Sequence, residues 1–434
     1  MTTRSTSHRR LASLLVALAA LAAVATLEAP TADARLKLTV RHLVNAVQPT
    51  AGVSPPGHPG RLYVVERKGK IRILEKGKWL PGGPFLDISK RVNTNWIEQG
   101  LLGLAFPPDF ARTRRYYIDY IAKNGDIMIE EYRTFAKDPT RTRMDTRRLV
   151  LRIPHVADRG NHNGGKLAFL GDHLFIAVGD GNDPGDKMYL AQNPNSLRGK
   201  ILRIDPRGDA TTGRTYVIPP TNPFVGKPGR DEVFALGFRN PHNFDFYKPK
   251  DGPLMMVISD VGQGRFEEIN YLPYQLAWGA NFGWKLFEGI SAYDCGELCP
   301  NGVVNPPGTG LTWPQLVYTH KQGCAVIGGP VVEDPSLTTI KGRIIYGDFC
   351  ANRIRTARPS TSWITDDKPA GVFLPPGKGK HSALNALVED GWGRIFALSN
   401  FGGVYLLVEK NVKTSKPKPG NGKKKKRKKT SNRA

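Results

Sequence analysis

One phrase of apolar runs and glycine punctuation returns along the chain. Gly60-Arg61-Leu62-Tyr63-Val64-Val65 leads, after Gly69, into Ile71-Arg72-Ile73-Leu74. Near the other end, Gly393-Arg394-Ile395-Phe396-Ala397-Leu398 leads, after Gly402, into Val404-Tyr405-Leu406-Leu407, with the same interval between the two glycines. Looser copies begin near Arg115, Asp172, Pro253 and Arg343. Each copy is a short β-rich run, a polar turn and a second run, which predicts two adjacent antiparallel strands. Six such units across roughly 350 residues bury their faces by stacking, and radial closure protects the sheet edges that stacking leaves. The expected fold is all-β, a six-bladed β-propeller in which the first and last copies are neighbours. An unrelated sandwich or pair of barrels leaves the match between those two copies unexplained.

Composition agrees with short strands and many turns: 47 Gly and 34 Pro in 434 residues, with 40% apolar residues, enough to exclude wholesale disorder. Arg4, Arg9 and Arg10 precede a mostly Ala, Leu and Val stretch from Leu11 to Thr26, and Ala32-Asp33-Ala34 offers small residues for cleavage. Residues 1–34 therefore read as a signal peptide, residues 35–410 as the propeller and residues 411–434 as a disordered Lys-rich tail. The formal charge is +25, and eleven Lys and Arg fall in residues 411–434 without a single acid. For an exported chain, the tail suits anionic cell-wall or membrane polymers rather than a specific nucleic acid. The expected location is extracytoplasmic, with the tail as a means of staying at the cell surface. Cys295, Cys299, Cys324 and Cys350 are an even set in such a chain, so two disulfides are expected, with three pairings open.

No nucleophile elbow, zincin helix, phosphate loop or dinucleotide fingerprint occurs. Polar residues and glycines gather instead in short loops beside the strand phrases. His162, within Asn161-His162-Asn163-Gly164-Gly165, has little side-chain bulk around it and suits a base projecting into a cavity. Asp180, in Gly179-Asp180-Gly181, suits orienting that ring, and the surrounding Asp/Asn set suits either Ca²⁺ or an ordinary turn. Arg239-Asn240 before Pro241 offers forked donors for a planar anionic ligand.

Taken together, EQGLLGLAF, HNGGKL, LRGKILRID, GFRNP, DVGQGRFEEIN and GANFGW resemble the glucose/sorbosone dehydrogenase family over about residues 40–408. The resemblance implies an exported, pyrroloquinoline quinone (PQQ)- and Ca²⁺-dependent aldose dehydrogenase on a six-bladed propeller. It implies His162 as catalytic base and cofactor neighbour, Asp180 as the acid that orients it, and Arg239 as stabiliser of charge on the quinone. It further implies Gln99 and Asn240 as cofactor contacts and the carbonyls of Gly262 and Gln263 as Ca²⁺ ligands. Gln263 stands where the best-studied glucose dehydrogenases have proline, a change that a carbonyl ligand survives. Asn400-Phe401-Gly402-Gly403 lacks the paired arginines those enzymes turn on the PQQ carboxylates, which leaves Arg353 and Arg355 as substitutes to be sought. The GDFC-x-x-R-I stretch is similar to a hedgehog-interacting-like branch whose members need not be enzymes.

The leading functional expectation is oxidation of an aldose at its anomeric carbon to a lactone, hydride passing to PQQ and onward to an acceptor the chain does not name. A non-catalytic propeller that binds cell-surface glycan or protein is the alternative. A Ca²⁺-dependent propeller lactonase shares the architecture but not the motifs.

Overall fold

The structure, a computed structural model, describes residues 38–154, 160–181, 185–294, 310–351, 353–372, 374–375 and 384–410. The expected signal peptide, the basic tail, Cys295 and Cys299 lie outside the described residues. Six sheets, each built on four antiparallel strands, follow one another along the chain. The first blade comprises Pro49–Val53, Arg61–Glu66, Lys70–Glu75 and Lys78–Trp79, with Leu86–Asp87 as an extra short strand. The second runs from Leu101–Ala105 through Arg115–Ile121 and Ile127–Thr134 to Thr142–Ile153. Leu167–Leu170, His173–Val178, Lys200–Ile204 and Val233–Leu236 make the third; Pro241–Tyr247, Met255–Asp260, Phe266–Pro273 and Leu316–Thr319 make the fourth. Val326–Val331, Ile344–Asp348, Ile354–Ala357 and Asp367–Val372 form the fifth.

The sixth blade closes the ring. Leu384–Glu389, Ile395–Ser399 and Gly403–Glu409 come from the end of the propeller, and its fourth strand, Leu38–Asn45, comes from the beginning, in a register that sets Leu38 opposite Glu409. The two best-matched sequence copies do meet: the Gly391 amide donates to Pro59 O (3.1 Å), and a Cβ on Gly60 would overlap the Trp392 ring. In every blade the repeated phrase is the second strand and the start of the hairpin to the third.

Ring closure explains why these strands read as continuous apolar runs rather than alternating ones. On Arg61–Glu66, Leu62 and Val64 pack against Phe396 and Leu398 of the sixth blade, while Tyr63 and Val65 pack against Leu104 and Tyr116 of the second. Likewise Leu174, Ile176 and Val178 face the second blade and Phe175 and Ala177 the fourth. Both faces of each sheet are buried, so both sets of alternate positions must be apolar. Each such large side chain contributes about 1.5–3 kcal/mol by leaving water. Among the described residues the helical content is small, with single turns at Phe110–Thr113 and Tyr274–Ala277. The innermost strands surround an axial cavity of about 200 Å³.

Candidate functional site

Within a blade the first strand leaves one face of the ring and the second returns to it. Loops before first strands and after second strands therefore open on the same face, and the expected site residues lie on these loops, whereas GANFGW lies between Phe266–Pro273 and Leu316–Thr319. His162 and Asn163 precede Leu167–Leu170, Asp180 follows His173–Val178, Arg239 and Asn240 precede Pro241–Tyr247, and Gly262 and Gln263 follow Met255–Asp260. Glu98 and Gln99 precede Leu101–Ala105. Antiparallel connectivity alone brings these loops to one face.

His162 has a left-handed backbone (φ 51°) and is 6% exposed. Its loop passes so close to the neighbouring strand that a Cβ on Gly164 would overlap the Ala177 carbonyl, which explains the glycine there. The His162 amide donates to Glu98 Oε2 (2.6 Å), and Nδ1 lies 2.7 Å from Asp180 Oδ1. Asp180 is 2% exposed and its Oδ2 accepts Trp284 Nε1–H at 2.8 Å. A carboxylate at Nδ1 places the ring proton there, so Nε2 carries the lone pair and is the basic atom. Expected partners His162 and Asp180 thus form a dyad, and Trp284 is a third member that pattern reading passed over, although it ends the GANFGW phrase.

Asp260 organises the Arg239-Asn240 turn. Its two carboxylate oxygens accept the amides of Arg239 (2.9 Å) and Asn240 (2.7 Å), and burial, outweighing those two bonds, pushes its pKa up to about 7. The Arg239 side chain donates from Nε to Gln263 Oε1 (3.0 Å) and from Nη1 to Val261 O (2.9 Å), with the guanidinium 5.8 Å from the Trp284 ring. Asn240 Oδ1 accepts the Gly164 amide at 3.0 Å, tying the third and fourth blades together beside His162.

The Gly262-Gln263 turn is held from beneath by Glu288. Its Oε1 accepts the amides of Gln263 (2.8 Å), Gly264 (2.7 Å), Arg265 (2.7 Å) and Phe266 (3.2 Å). A Cβ on Gly262 would overlap the Phe266 carbonyl, so only glycine fits the turn. With the amides committed to a carboxylate, the turn's hard oxygen donors are its carbonyls, the donor type Ca²⁺ takes. Glu288 belongs to no motif and was not foreseen.

Gln99, Arg353 and Arg355 do not line the axial cavity. Gln99 is buried against Gly160 with Oε1 unpartnered, whereas Glu98, one residue earlier, lines the axial cavity with Asn163, Lys166 and Asn240. Arg355 sits on the third strand of its blade, paired with Asp367 (2.6 Å) and Tyr346 Oη (3.0 Å), and Arg353 is exposed. Third strands lie away from the axis, so Arg355 does not substitute for the missing arginine pair. Nearby, Cys324 and Cys350 form a disulfide and their amides donate to Asp348, at 2.9 and 2.7 Å.

The family model for glucose/sorbosone dehydrogenases matches residues 53–368, and the chain belongs to that family. It is 25% identical over 398 residues to the HIPL1 protein of Arabidopsis thaliana, covering 76% of this chain and 55% of that one. It is 31% identical over 238 residues to the aldose sugar dehydrogenase YliI of Escherichia coli, covering 53% and 57%. The Hedgehog-interacting protein of Mus musculus is 31% identical over 208 residues, 45% of this chain and 29% of that one. The chain thus spans little more than half the length, or less, of these curated relatives. The PQQ-bound aldose sugar dehydrogenase of Streptomyces coelicolor superposes with a TM-score of 0.62 at 22% identity, covering 86% of this chain and 99% of that one, a likeness of fold.

Proposed function

We propose that this protein is an exported dehydrogenase that oxidises an aldose at its anomeric carbon to the lactone, using PQQ and Ca²⁺. The carrying observation is the His162–Asp180–Trp284 chain, with Nδ1–Oδ1 at 2.7 Å and Oδ2–Nε1 at 2.8 Å. The residues present fit the cofactor: Arg239 and Asn240 offer donors to a planar anionic ligand, and the orphaned, buried Gln99 Oε1 offers an acceptor. The carbonyls of Gly262 and Gln263 would hold the metal. PQQ, when bound, supplies a two-electron hydride acceptor for the C1 hydrogen. His162 Nε2 takes the proton of the C1 hydroxyl as the C1–O bond becomes a carbonyl, and the Asp180 carboxylate stabilises the imidazolium that results. Arg239 provides positive charge where negative charge develops. The Arg4–Ala34 sequence supports export, and the tail supports retention on anionic polymers.

Replacing His162 by Ala should abolish sugar oxidation in protein supplied with PQQ, Ca²⁺ and an artificial electron acceptor, while leaving the melting temperature near wild type. Full activity in that variant would remove His162 from the mechanism. A second reading, a propeller that binds glycan or protein without catalysis, draws on the likeness to the Hedgehog-interacting protein. It also draws on the axial cavity, whose one arginine among the described residues, Arg67, is committed to Gln48 Oε1 and to the carbonyls of Trp96 and Gln99. That reading predicts no quinone-dependent turnover with any sugar.

A further inference from the structure

We infer that Lys166, on the propeller axis, is the counter-cation for the carboxylates of PQQ, the role that the absent arginine pair leaves open. The inference rests on the PQQ reading and names a contact of this chain's own. Lys166 stands in the HNGGKL phrase, immediately before the innermost strand Leu167–Leu170 of the third blade. It is half-buried and lines the axial cavity with Asn240, an expected cofactor contact, and with Asn243 and Asn385. A second cavity of about 250 Å³ shares this wall, and Lys166 lines it too, with Asp245 and Glu389. Lys166 therefore stands where the two cavities meet.

Among the described residues its ammonium makes no ion pair and no hydrogen bond. Its charge is felt across the axis by His242 and Asp245 of the fourth blade and by Glu389 of the sixth, yet these groups do not neutralise it. Burial first, and Lys166 second, push the His242 pKa down to about 4, so that ring is neutral. Burial pushes the Asp245 carboxyl up against the pull of Lys166, and burial, then Asp245, push Glu389 up to about 8. Carboxyls that hold their protons so readily leave the ammonium uncompensated, and an unpaired charge inside a walled cavity is costly until an anion meets it. The acid of the axial cavity, Glu98, is engaged by the His162 amide at 2.6 Å. Asn243 and Asn385 each donate one Nδ2 hydrogen to a carbonyl, of Gly328 (2.9 Å) and Pro49 (2.6 Å), and keep the other. A cation flanked by amide donors matches a carboxylate, and PQQ carries several on a planar ring system. A metal ion, the other ligand that Asp245 and Glu389 suggest, would be repelled by Lys166.

Titration of the full chain with PQQ in excess Ca²⁺, read by quenching of tryptophan fluorescence without sugar or acceptor, tests the anchor. Lys166→Met should bind PQQ roughly 10- to 100-fold more weakly than wild type, the worth of one hydrogen bond between charged groups. Lys166→Arg should keep most of the affinity, and Arg353→Met should keep all of it. Added NaCl should weaken binding more steeply in wild type than in Lys166→Met. Wild type gives an independent reading if Lys166→Met fails to fold: bound PQQ should protect Lys166 from acetylation, followed by peptide mass spectrometry. Unchanged affinity in a folded Lys166→Met, acetylation of Lys166 undiminished by PQQ, or no binding of PQQ by wild type would overturn the anchor. Turnover separates the two readings. His162-dependent oxidation of an aldose, with PQQ affinity unchanged in Lys166→Met, would remove the anchor and keep the dehydrogenase. Lys166-dependent PQQ binding with no aldose oxidised would do the reverse.

Discussion

Trp284→Phe isolates one hydrogen bond of the proposed base relay. The ring and its packing on Tyr293 survive, but the Nε1–H that meets Asp180 Oδ2 at 2.8 Å is lost. Asp180 is almost fully buried, so water does not readily replace the donor. A hydrogen bond to a charged group contributes about 1.5–3 kcal/mol. If the whole of it serves to hold the carboxylate on His162, kcat should fall roughly 10- to 100-fold. The assay is steady-state oxidation of an aldose with PQQ, Ca²⁺ and an artificial acceptor, run on wild type, Trp284→Phe, Asp180→Asn and the double variant. Because Trp284 acts through Asp180, adding Trp284→Phe to Asp180→Asn should cost little. An undiminished kcat in Trp284→Phe, or a full extra loss in the double variant, would refute the relay.

Two further outcomes follow from charges elsewhere in the chain. Lys200 is fully buried with Nζ on the carbonyls of Leu190 (2.7 Å), Ala191 (2.9 Å) and Arg198 (2.7 Å), and burial lowers its pKa to about 7 from 10.5. Between those two values the unfolded chain binds more protons than the folded one, so this group's contribution to stability rises with pH; wild type should gain on Lys200→Met in denaturant titrations as pH climbs from 7 towards 10. For the tail, deleting residues 412–434 should abolish salt-sensitive adsorption to anionic polymer in a pull-down across a NaCl series, and unchanged adsorption would assign it to the basic body instead.

How far local pattern reaches is visible in particular residues. Strands such as Arg61–Glu66 and Ile395–Ser399 are buried on both faces, and an apolar run bounded by glycine records that directly. His162, Asp180, Arg239, Asn240, Gly262 and Gln263 were legible because their loops require glycine or carry phrases shared with a family. Trp284 and Glu288 were not, since what makes them matter is a partner elsewhere: Trp284 lies 104 residues from Asp180, and Glu288 gathers four amides from a turn more than 20 residues away. Gln99 and Glu98 differ by one position, and nothing local says which of them faces the axis.

The amino-acid sequence by itself determined the number of blades, two adjacent strands within each and the adjacency of the first and last copies. These follow from which positions must be apolar and which must be glycine, and both are properties a residue carries with it. Only the tertiary structure decided that Trp284 backs the His162–Asp180 pair, that the Gly262 turn rests on Glu288, and that Arg355 pairs with Asp367 away from the axis. A side chain's partner is set by closure of the ring, which brings together loops far apart in the chain, and no local period encodes that distance.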